Sequence, residues 1–221
     1  MKIELENFII KSDKPIKYIE KIINTLNSET KKILSFFGIN RLENKLTINI
    51  YTSKEKFKNY KISRSGYYYD WMCADTTKDQ INILDIKEAR KSNRHKDMTL
   101  DDFKHTLLHE FVHSCQMEIN DDIKGVVWFW EALATNLSGQ TYQFYKLSEC
   151  DFNNFVNDFY NTEHDYNYAY IIGKYMLKNY SQDIILNYVK HPELLRKDAT
   201  TIFNELIEKE KDKKEVIKCQ C

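Results

Sequence analysis

The sequence lacks long apolar runs and lacks a net charge. No stretch approaches the ~20 consecutive apolar residues that span a bilayer. The first residues have neither the positive head nor the long apolar centre of a signal peptide. Lysine plus arginine and aspartate plus glutamate both number 33, so no basic field favours nucleic acid or an anionic membrane. We therefore expect a soluble, cytoplasmic protein without a nucleic-acid or membrane partner.

The sequence also lacks the regular cysteine pattern of a disulfide framework. Its 5 cysteines are odd in number and irregularly spaced, which predicts reduced thiols. Cys115 lies in an apolar helical pattern and is interpreted as a small buried hydrophobic residue. Cys219 and Cys221 offer only two thiolates at the end of a charged tail, so we interpret them as part of a frayed terminus.

A length of 221 residues and a hydrophobic share of 42% are enough for a substantial core. The patterns predict one α+β domain over residues 1–221. We expect residues 1–98 to form an entry layer and a small mixed sheet, residues 99–119 the next helix, and residues 120–221 a mainly helical lobe. No repeat and no independent second domain is detectable.

Periodicity predicts the individual elements. Alternation predicts strands at residues 2–10, 45–51, 66–71 and 80–84, and helical periodicity predicts helices at residues 15–37, 54–60, 100–118 and 126–145. Gly38 would end the first helix, while Ser53 and Thr99 would cap the second and the third. Helices dominate from Asp151 onward, where only Gly173 interrupts the pattern. A charged stretch at residues 208–215 would end a helix in solvent.

The most informative feature is the segment His109-Glu110-Phe111-Val112-His113. Side chains four positions apart share one face of a helix, so both histidines can offer an imidazole nitrogen to one metal ion while the glutamate flanks the site. Apolar residues repeat around it at helical spacing: Phe103, Leu107, Leu108, Phe111, Val112 and Cys115. The motif is therefore predicted on a helix seated in the core, where its chemistry requires it.

Glu131 is the leading candidate for a third metal ligand. It stands in Trp128-Phe129-Trp130-Glu131-Ala132-Leu133-Ala134, where an ionised carboxylate is costly unless something pairs with it. A zinc ion is such a partner. Three protein ligands leave one position open for a water molecule, whose pKa then falls to about 7. The alternative is a glutamate on the solvated edge of an amphipathic helix.

Geometry and pattern weaken the other candidates for the third ligand. His105 lies about 12 Å of helical rise from the second histidine of the motif, whereas zinc bonds are only about 2 Å long. The metzincin pattern requires glycine and histidine where Gln116 and Ile119 stand. Asp121 and Asp122 lie in a predicted turn, where aspartates usually stabilise turns and helix caps.

This arrangement resembles a gluzincin of the peptidase MA-like group. The resemblance implies a zincin-like fold, in which a small twisted mixed sheet precedes the active-site helix and a mainly helical lobe carries the glutamate. It further implies that His109, His113 and Glu131 bind one zinc ion per chain. Glu110 would be the general base, taking a proton from the attacking water and passing it to the leaving amine.

Two departures from the family pattern narrow the expectation. The sequence has no Gly-x-Met-Glu-Asn segment, which makes an exopeptidase less favoured than an endopeptidase. The thermolysin-type aspartate four residues beyond the ligand glutamate is replaced by Thr135, so another group must orient His109. We predict a zinc-dependent endopeptidase or a closely related amide hydrolase that acts on polypeptides by glutamate-assisted attack of water.

A looser part of the resemblance is a tyrosine-bearing segment at residues 166–177. Tyr166, Tyr168 and Tyr170 are candidates for the donor that stabilises the oxyanion, and His164 is a further candidate. The chain has 15 tyrosines, so each of the three can equally be a packing residue. The pattern does not choose between them.

Substrate binding is expected at a strand edge, because in the family a strand before the active-site helix adds a substrate strand through main-chain hydrogen bonds. Residues 80–84 and residues 67–71 are the two candidates. Two alternatives to the enzyme stay open at this point. One is a catalytically silent zincin-fold protein that binds a peptide or partner, and the other is a regulatory protein whose helical lobe does the binding. The sequence leaves cleavage preference and oligomeric state open.

Overall fold

A computed structural model describes the backbone of residues 1–218 and the side chains of residues 1–210, so Cys219 and Cys221 lie outside the described residues. The chain divides into two compact units, Met1–Glu118 and a second unit that begins at Ile119. A five-stranded mixed sheet comes first and a mainly helical region follows. The predicted α+β class is therefore confirmed, while the prediction of a single domain stays a prediction.

The first unit contains the sheet, whose strands are β1 (Lys2–Glu4), β2 (Phe8–Ser12), β3 (Leu46–Tyr51), β4 (Ala74–Thr77) and β5 (Gln80–Leu84). Their order is β1-β2-β3-β5-β4. The pairs β2–β3 and β3–β5 are parallel, and both edge strands run antiparallel to their neighbours. Leu46, Ile48 and Ile50 are buried at alternate positions of β3, as expected for one face of a strand on a core.

Four α-helices begin in the first unit: α1 (Ile19–Phe36), α2 (Lys54–Ser65), α3 (Ile86–Ala89) and α4 (Leu100–Ile119). The predicted cap of α2 is confirmed, because the Ser53 side chain accepts from the Lys56 backbone N–H at 3.4 Å. Thr99 and Asp102 cap α4 reciprocally. The Asp102 N–H donates to Thr99 Oγ1 at 3.1 Å, and the Thr99 N–H donates to Asp102 Oδ2 at 2.8 Å.

Two of the predicted strands are wrong. Residues 2–10 form the antiparallel pair β1–β2 rather than one strand. Residues 66–71 are irregular and lead into a turn, in which the Met72 N–H donates to Tyr69 O at 2.9 Å. The fourth strand, β4, follows instead. It was not predicted because its sequence, Ala-Asp-Thr-Thr, is polar and only half-buried, so it carries no apolar alternation.

Helix α4 carries the histidine motif and is anchored by its apolar face. The residues buried along it include Phe103, Leu107, Leu108, Phe111, Val112 and Cys115, which confirms the predicted helical periodicity. The Phe111 ring packs edge-on against Phe8 of β2 at 5.7 Å between centroids. The orientation of the motif is therefore determined by packing against the sheet.

The second unit is helical: α5 (Val127–Leu137), α6 (Phe152–Asn157), α7 (Asp165–Asn179), α8 (Gln182–Lys190) and α9 (Pro192–Lys218). The prediction of one helix over residues 126–145 is wrong in length. The Ser138 N–H bonds back to Ala134 O, and Gly139 then takes a φ of +79°, the left-handed conformation that ends helices. Within residues 1–218, no helix combines the length and apolar character needed to cross a membrane.

Gly173 allows α7 to pack closely on α5. A Cβ atom at this position would lie 2.3 Å from the Ala132 carbonyl oxygen and 2.5 Å from Asn136 Nδ2. The same Asn136 amide donates to Ala132 O at 2.8 Å and to Tyr170 O at 3.0 Å. A glycine at position 173 is therefore required for α7 to pack against Ala132, the residue that follows Glu131 in α5.

We expect Gly173→Ala to lower the free energy of unfolding by about 1–3 kcal/mol, because the added methyl group overlaps backbone atoms. At an unobstructed helical position the same substitution would raise stability by about 1 kcal/mol. Urea denaturation followed by circular dichroism measures the difference. The two cases predict changes of opposite sign in the free energy of unfolding, so a stabilised Gly173→Ala variant would contradict the close approach of α5 and α7.

Candidate metal centre

The two motif histidines lie one turn apart on α4 with their rings facing each other. Their Nε2 atoms are 3.0 Å apart, and the ring planes meet at 85°. Two nitrogen ligands of a tetrahedral zinc ion, with bonds of 2.0–2.1 Å, lie about 3.3 Å from each other. His109 is buried, at 6% exposed. The pair therefore needs only a small adjustment to bind one ion through both Nε2 atoms.

Glu131 lies on α5 in an apolar setting. The side chain is 4% exposed, and the Tyr160 hydroxyl donates to its Oε1 at 3.0 Å. The residues beside it in the helix are also buried, among them Trp128, Phe129 and Leu133. A carboxylate in such surroundings is stable as an anion only when hydrogen bonds or a cation compensate for its lost hydration.

His109, His113 and Glu131 together form a group that could hold a metal ion. One ligand atom from each residue lies within 4.8 Å of the others. Two imidazole nitrogens and one carboxylate oxygen are a donor set suited to zinc, and three protein ligands leave one position of a tetrahedral ion open. The donor chemistry of these residues fits the predicted metal.

Glu110 is held by the edge strand β4. The Thr76 hydroxyl donates to the Glu110 carboxylate, and it lies 3.3 Å from the Glu110 backbone oxygen. Asp75, which precedes Thr76 in β4, forms ion pairs with Lys61 at 2.6 Å and with Arg64. Lys61 is itself buried. The position of Thr76, and with it the orientation of the Glu110 carboxylate, is therefore supported by an ion-pair cluster.

Gln116 contacts the far side of the His113 ring. Its Oε1 lies 2.8 Å from His113 Nδ1, and the residue is fully buried. The position is one helical turn beyond the histidine, so one helix provides both the ligand and its partner. In the sequence, Gln116 stands out only as the residue at the position where metzincins have glycine. The signal available in the sequence was its spacing of three residues from His113.

The three predicted tyrosine donors occupy different surroundings on α7. Burial, and then the negative charge of Glu131, raise the pKa of Tyr166 well above its ordinary value, so its hydroxyl stays protonated close to that carboxylate. Tyr168 is 3% exposed, and its ring packs edge-on against Phe155 at 6.2 Å between centroids. Tyr170 is also buried. The charge of Glu131 thus contributes to the pKa of Tyr166 but not to that of Tyr168.

Two further side chains near this segment, Tyr160 and His164, make defined contacts. Tyr160, which the sequence analysis missed, is the tyrosine that bonds to Glu131. It lies in the short 3₁₀ helix Phe159–Asn161 before α7, which is too short to show a periodicity. The His164 ring stacks on Tyr145 at 3.8 Å between centroids, and its backbone has a φ of +62°. This stacking gives His164 a local packing role at the start of α7.

The other ligand candidates have local partners. Asp122 accepts from the Lys124 N–H at 3.1 Å and pairs with Arg196 at 3.2 Å, as expected for a turn residue. The Thr135 hydroxyl donates to Glu131 O at 2.8 Å. Thr135 is thus bonded within its own helix, in agreement with the expectation that another group orients His109.

The cysteines in the described part of the chain are free thiols: Cys73, Cys115 and Cys150. Burial raises the pKa of the Cys73 thiol to about 12, and the negative charge of Glu110 contributes in the same direction. A thiol with such a pKa is protonated at neutral pH and is a poor zinc ligand. The predicted reduced state is confirmed for these three cysteines.

No protein-family model and no curated protein sequence matches this chain. The structure brings together the three predicted metal ligands. It also brings Thr76 to Glu110 and Tyr160 to Glu131, two contacts that no sequence pattern indicated.

Proposed function

We propose that the protein is a zinc-dependent metallopeptidase, most simply an endopeptidase, with one zinc ion per chain bound by His109, His113 and Glu131. The observation that carries the proposal is the mutual approach of these three ligand atoms to within 4.8 Å. The spacing of the histidines on one face of α4, with Glu110 between them, supports a hydrolytic rather than a structural metal. A structural zinc site would use four protein ligands.

The chemistry divides between the metal and the protein's own groups. A bound zinc ion would supply a Lewis acid with one open position, which lowers the pKa of water to about 7. Glu110 takes the proton from the attacking water and passes it to the leaving amine. Thr76 donates to one oxygen of the Glu110 carboxylate and so orients the group that takes the proton.

We propose β4 as the strand that binds an extended substrate. It is an edge strand, paired with β5 on one side only, and an edge presents backbone donors and acceptors to an added strand. Neither candidate from the sequence analysis fits this part. Residues 80–84 form β5, which lies between β3 and β4, and residues 67–71 are not a strand. Main-chain recognition favours polypeptide substrates over sugars or phosphates.

Tyr166→Phe is expected to lower kcat about 10²-fold if this hydroxyl stabilises the oxyanion. The reason is that burial, and then the negative charge of Glu131, raise the pKa of Tyr166 and keep its hydroxyl protonated as a donor. Tyr168→Phe serves as the matched control on the same helix and should stay within about twofold of the wild type. Steady-state kinetics on a cleaved peptide measures both. A large loss at Tyr168 and none at Tyr166 would assign the donor differently.

The proposed activity is tested by incubating the zinc-loaded protein with casein and with a mixture-based peptide library, and by mass spectrometry of the products. Cleavage inside the peptides, abolished by a zinc chelator and restored by zinc, supports an endopeptidase. Release of single terminal residues would indicate an exopeptidase instead. A zinc-loaded protein that cleaves neither substrate would favour the alternative of a catalytically silent protein that binds a peptide or partner.

A further inference from the structure

We propose that Gln116 is a positioning residue: it selects the form of the His113 ring in which Nδ1 carries the proton and Nε2 carries the lone pair that can bind a metal ion, and thereby sets the metal affinity of the site. This inference rests on the metal centre of the proposed function but not on peptidase activity. The contact that carries it is the 2.8 Å approach of Gln116 Oε1 to His113 Nδ1. Both residues lie on α4, within the first unit.

The chemistry of the two atoms determines where the proton lies. A carboxamide oxygen has no hydrogen and can only accept a hydrogen bond. His113 Nδ1 must therefore carry the proton that joins the two atoms, and in the neutral ring the lone pair is then on Nε2. That Nε2 is the atom that faces His109 Nε2 at 3.0 Å. The proton is thus held on the nitrogen that points away from the metal ligands.

Burial makes this selection effective. Gln116 is fully buried, so water cannot easily replace its oxygen as the acceptor. An unpaired Nδ1–H would cost the ring a hydrogen bond in these surroundings. Without the acceptor, the alternative form with the proton on Nε2 becomes competitive, and that form cannot bind a metal through Nε2. Metal binding would then include the cost of moving the proton.

The geometry of α4 adds a second effect. Gln116 follows His113 by one helical turn, and the intervening backbone is regular helix. The hydrogen bond therefore restricts rotation of the ring about its side-chain bonds, and the ring orientation is established before the metal arrives. Outer hydrogen bonds of this kind typically change metal affinity by 10–100-fold.

The experiment measures the zinc dissociation constant of the full chain by competition with a chromophoric chelator, for the wild type, Gln116→Leu and Gln116→Glu. We expect Gln116→Leu to bind zinc about 10–100-fold more weakly, because leucine offers no acceptor. Gln116→Glu keeps an acceptor and should bind at least as tightly as the wild type. Gln143→Leu, at an exposed residue of the second unit, is the matched control and should not change the constant.

A second readout reports the proton itself. Long-range proton–nitrogen NMR spectra of the metal-free protein distinguish an Nδ1–H ring from an Nε2–H ring. We expect His113 in the Nδ1–H form in the wild type and in Gln116→Glu, and a shift toward the Nε2–H form in Gln116→Leu. A general loss of packing would not favour the Nε2–H form of His113 over the Nδ1–H form.

The outcomes separate the inference from the proposed function. If Gln116→Leu is folded and binds zinc as tightly as the wild type, the inference is overturned. If Gln116→Leu does not fold, the Gln116→Glu variant provides the test. Zinc binding that is tenfold weaker in Gln116→Glu than in the wild type rejects the inference, and so does a His113 ring in the Nε2–H form in the wild type. A wild type that binds no zinc overturns both proposals. A zinc-binding wild type without peptidase activity overturns only the proposed function.

Discussion

Glu110→Gln is expected to lower the rate of peptide hydrolysis roughly 10³-fold while the protein keeps its zinc. The amide is nearly the same size as the carboxylate, but it cannot take a proton from water. It can still accept the hydrogen bond from the Thr76 hydroxyl, so the local structure should be preserved. The measurement is kcat/KM on a peptide substrate, with metal content determined on the same preparation.

Glu55→Gln is the matched control for this prediction. Glu55 is an exposed residue of α2, so the same chemical change there should leave both hydrolysis and zinc unaffected. Unchanged hydrolysis in Glu110→Gln would eliminate Glu110 as the essential base. Loss of zinc together with activity would instead assign Glu110 to metal binding.

His113→Ala and Glu131→Ala are each expected to reduce zinc from about one ion per chain to near zero. Each substitution removes one of three protein ligands, and a zinc ion held by the remaining two has no complete site. Removal of the His113 ring also leaves the buried Gln116 oxygen without the partner it has in the wild type. Elemental mass spectrometry of the purified proteins measures the zinc content.

His105→Ala is the control on the same helix, because His105 lies one turn before His109 and outside the ligand group. It should retain the full zinc content. Retention of zinc in Glu131→Ala would mean that Glu131 is not the third ligand, whatever the result for His113→Ala. Circular dichroism of each variant excludes unfolding as the cause of metal loss.

The histidine helix could be predicted from the sequence because its determinants are local. Apolar residues at helical spacing, the Thr99 cap and the four-residue spacing of His109 and His113 all lie within one segment, and α4 forms there. Glu131 could be named because a carboxylate among tryptophans and leucines needs a partner. Its burial at 4% exposed agrees with that reasoning.

Other parts of the site could not be predicted because they depend on residues far apart in the chain. The contact of Thr76 with Glu110 joins β4 to α4, and β4 itself has no apolar pattern to reveal it. The ion pairs of Asp75 with Lys61 and Arg64 depend on where α2 lies beside the sheet. Tyr160 reaches Glu131 from the short 3₁₀ helix Phe159–Asn161.

By itself, the sequence determined the α+β class, the helix of the histidine motif and the identity of the three candidate ligands, since periodicity and residue chemistry are properties of short segments. Only the tertiary structure decided that β4 is an edge strand, that α5 ends before residue 139, and that Gln116 contacts His113 and Thr76 contacts Glu110. Strand order and side-chain hydrogen bonds arise from packing between distant segments. A pattern read along one segment does not contain them.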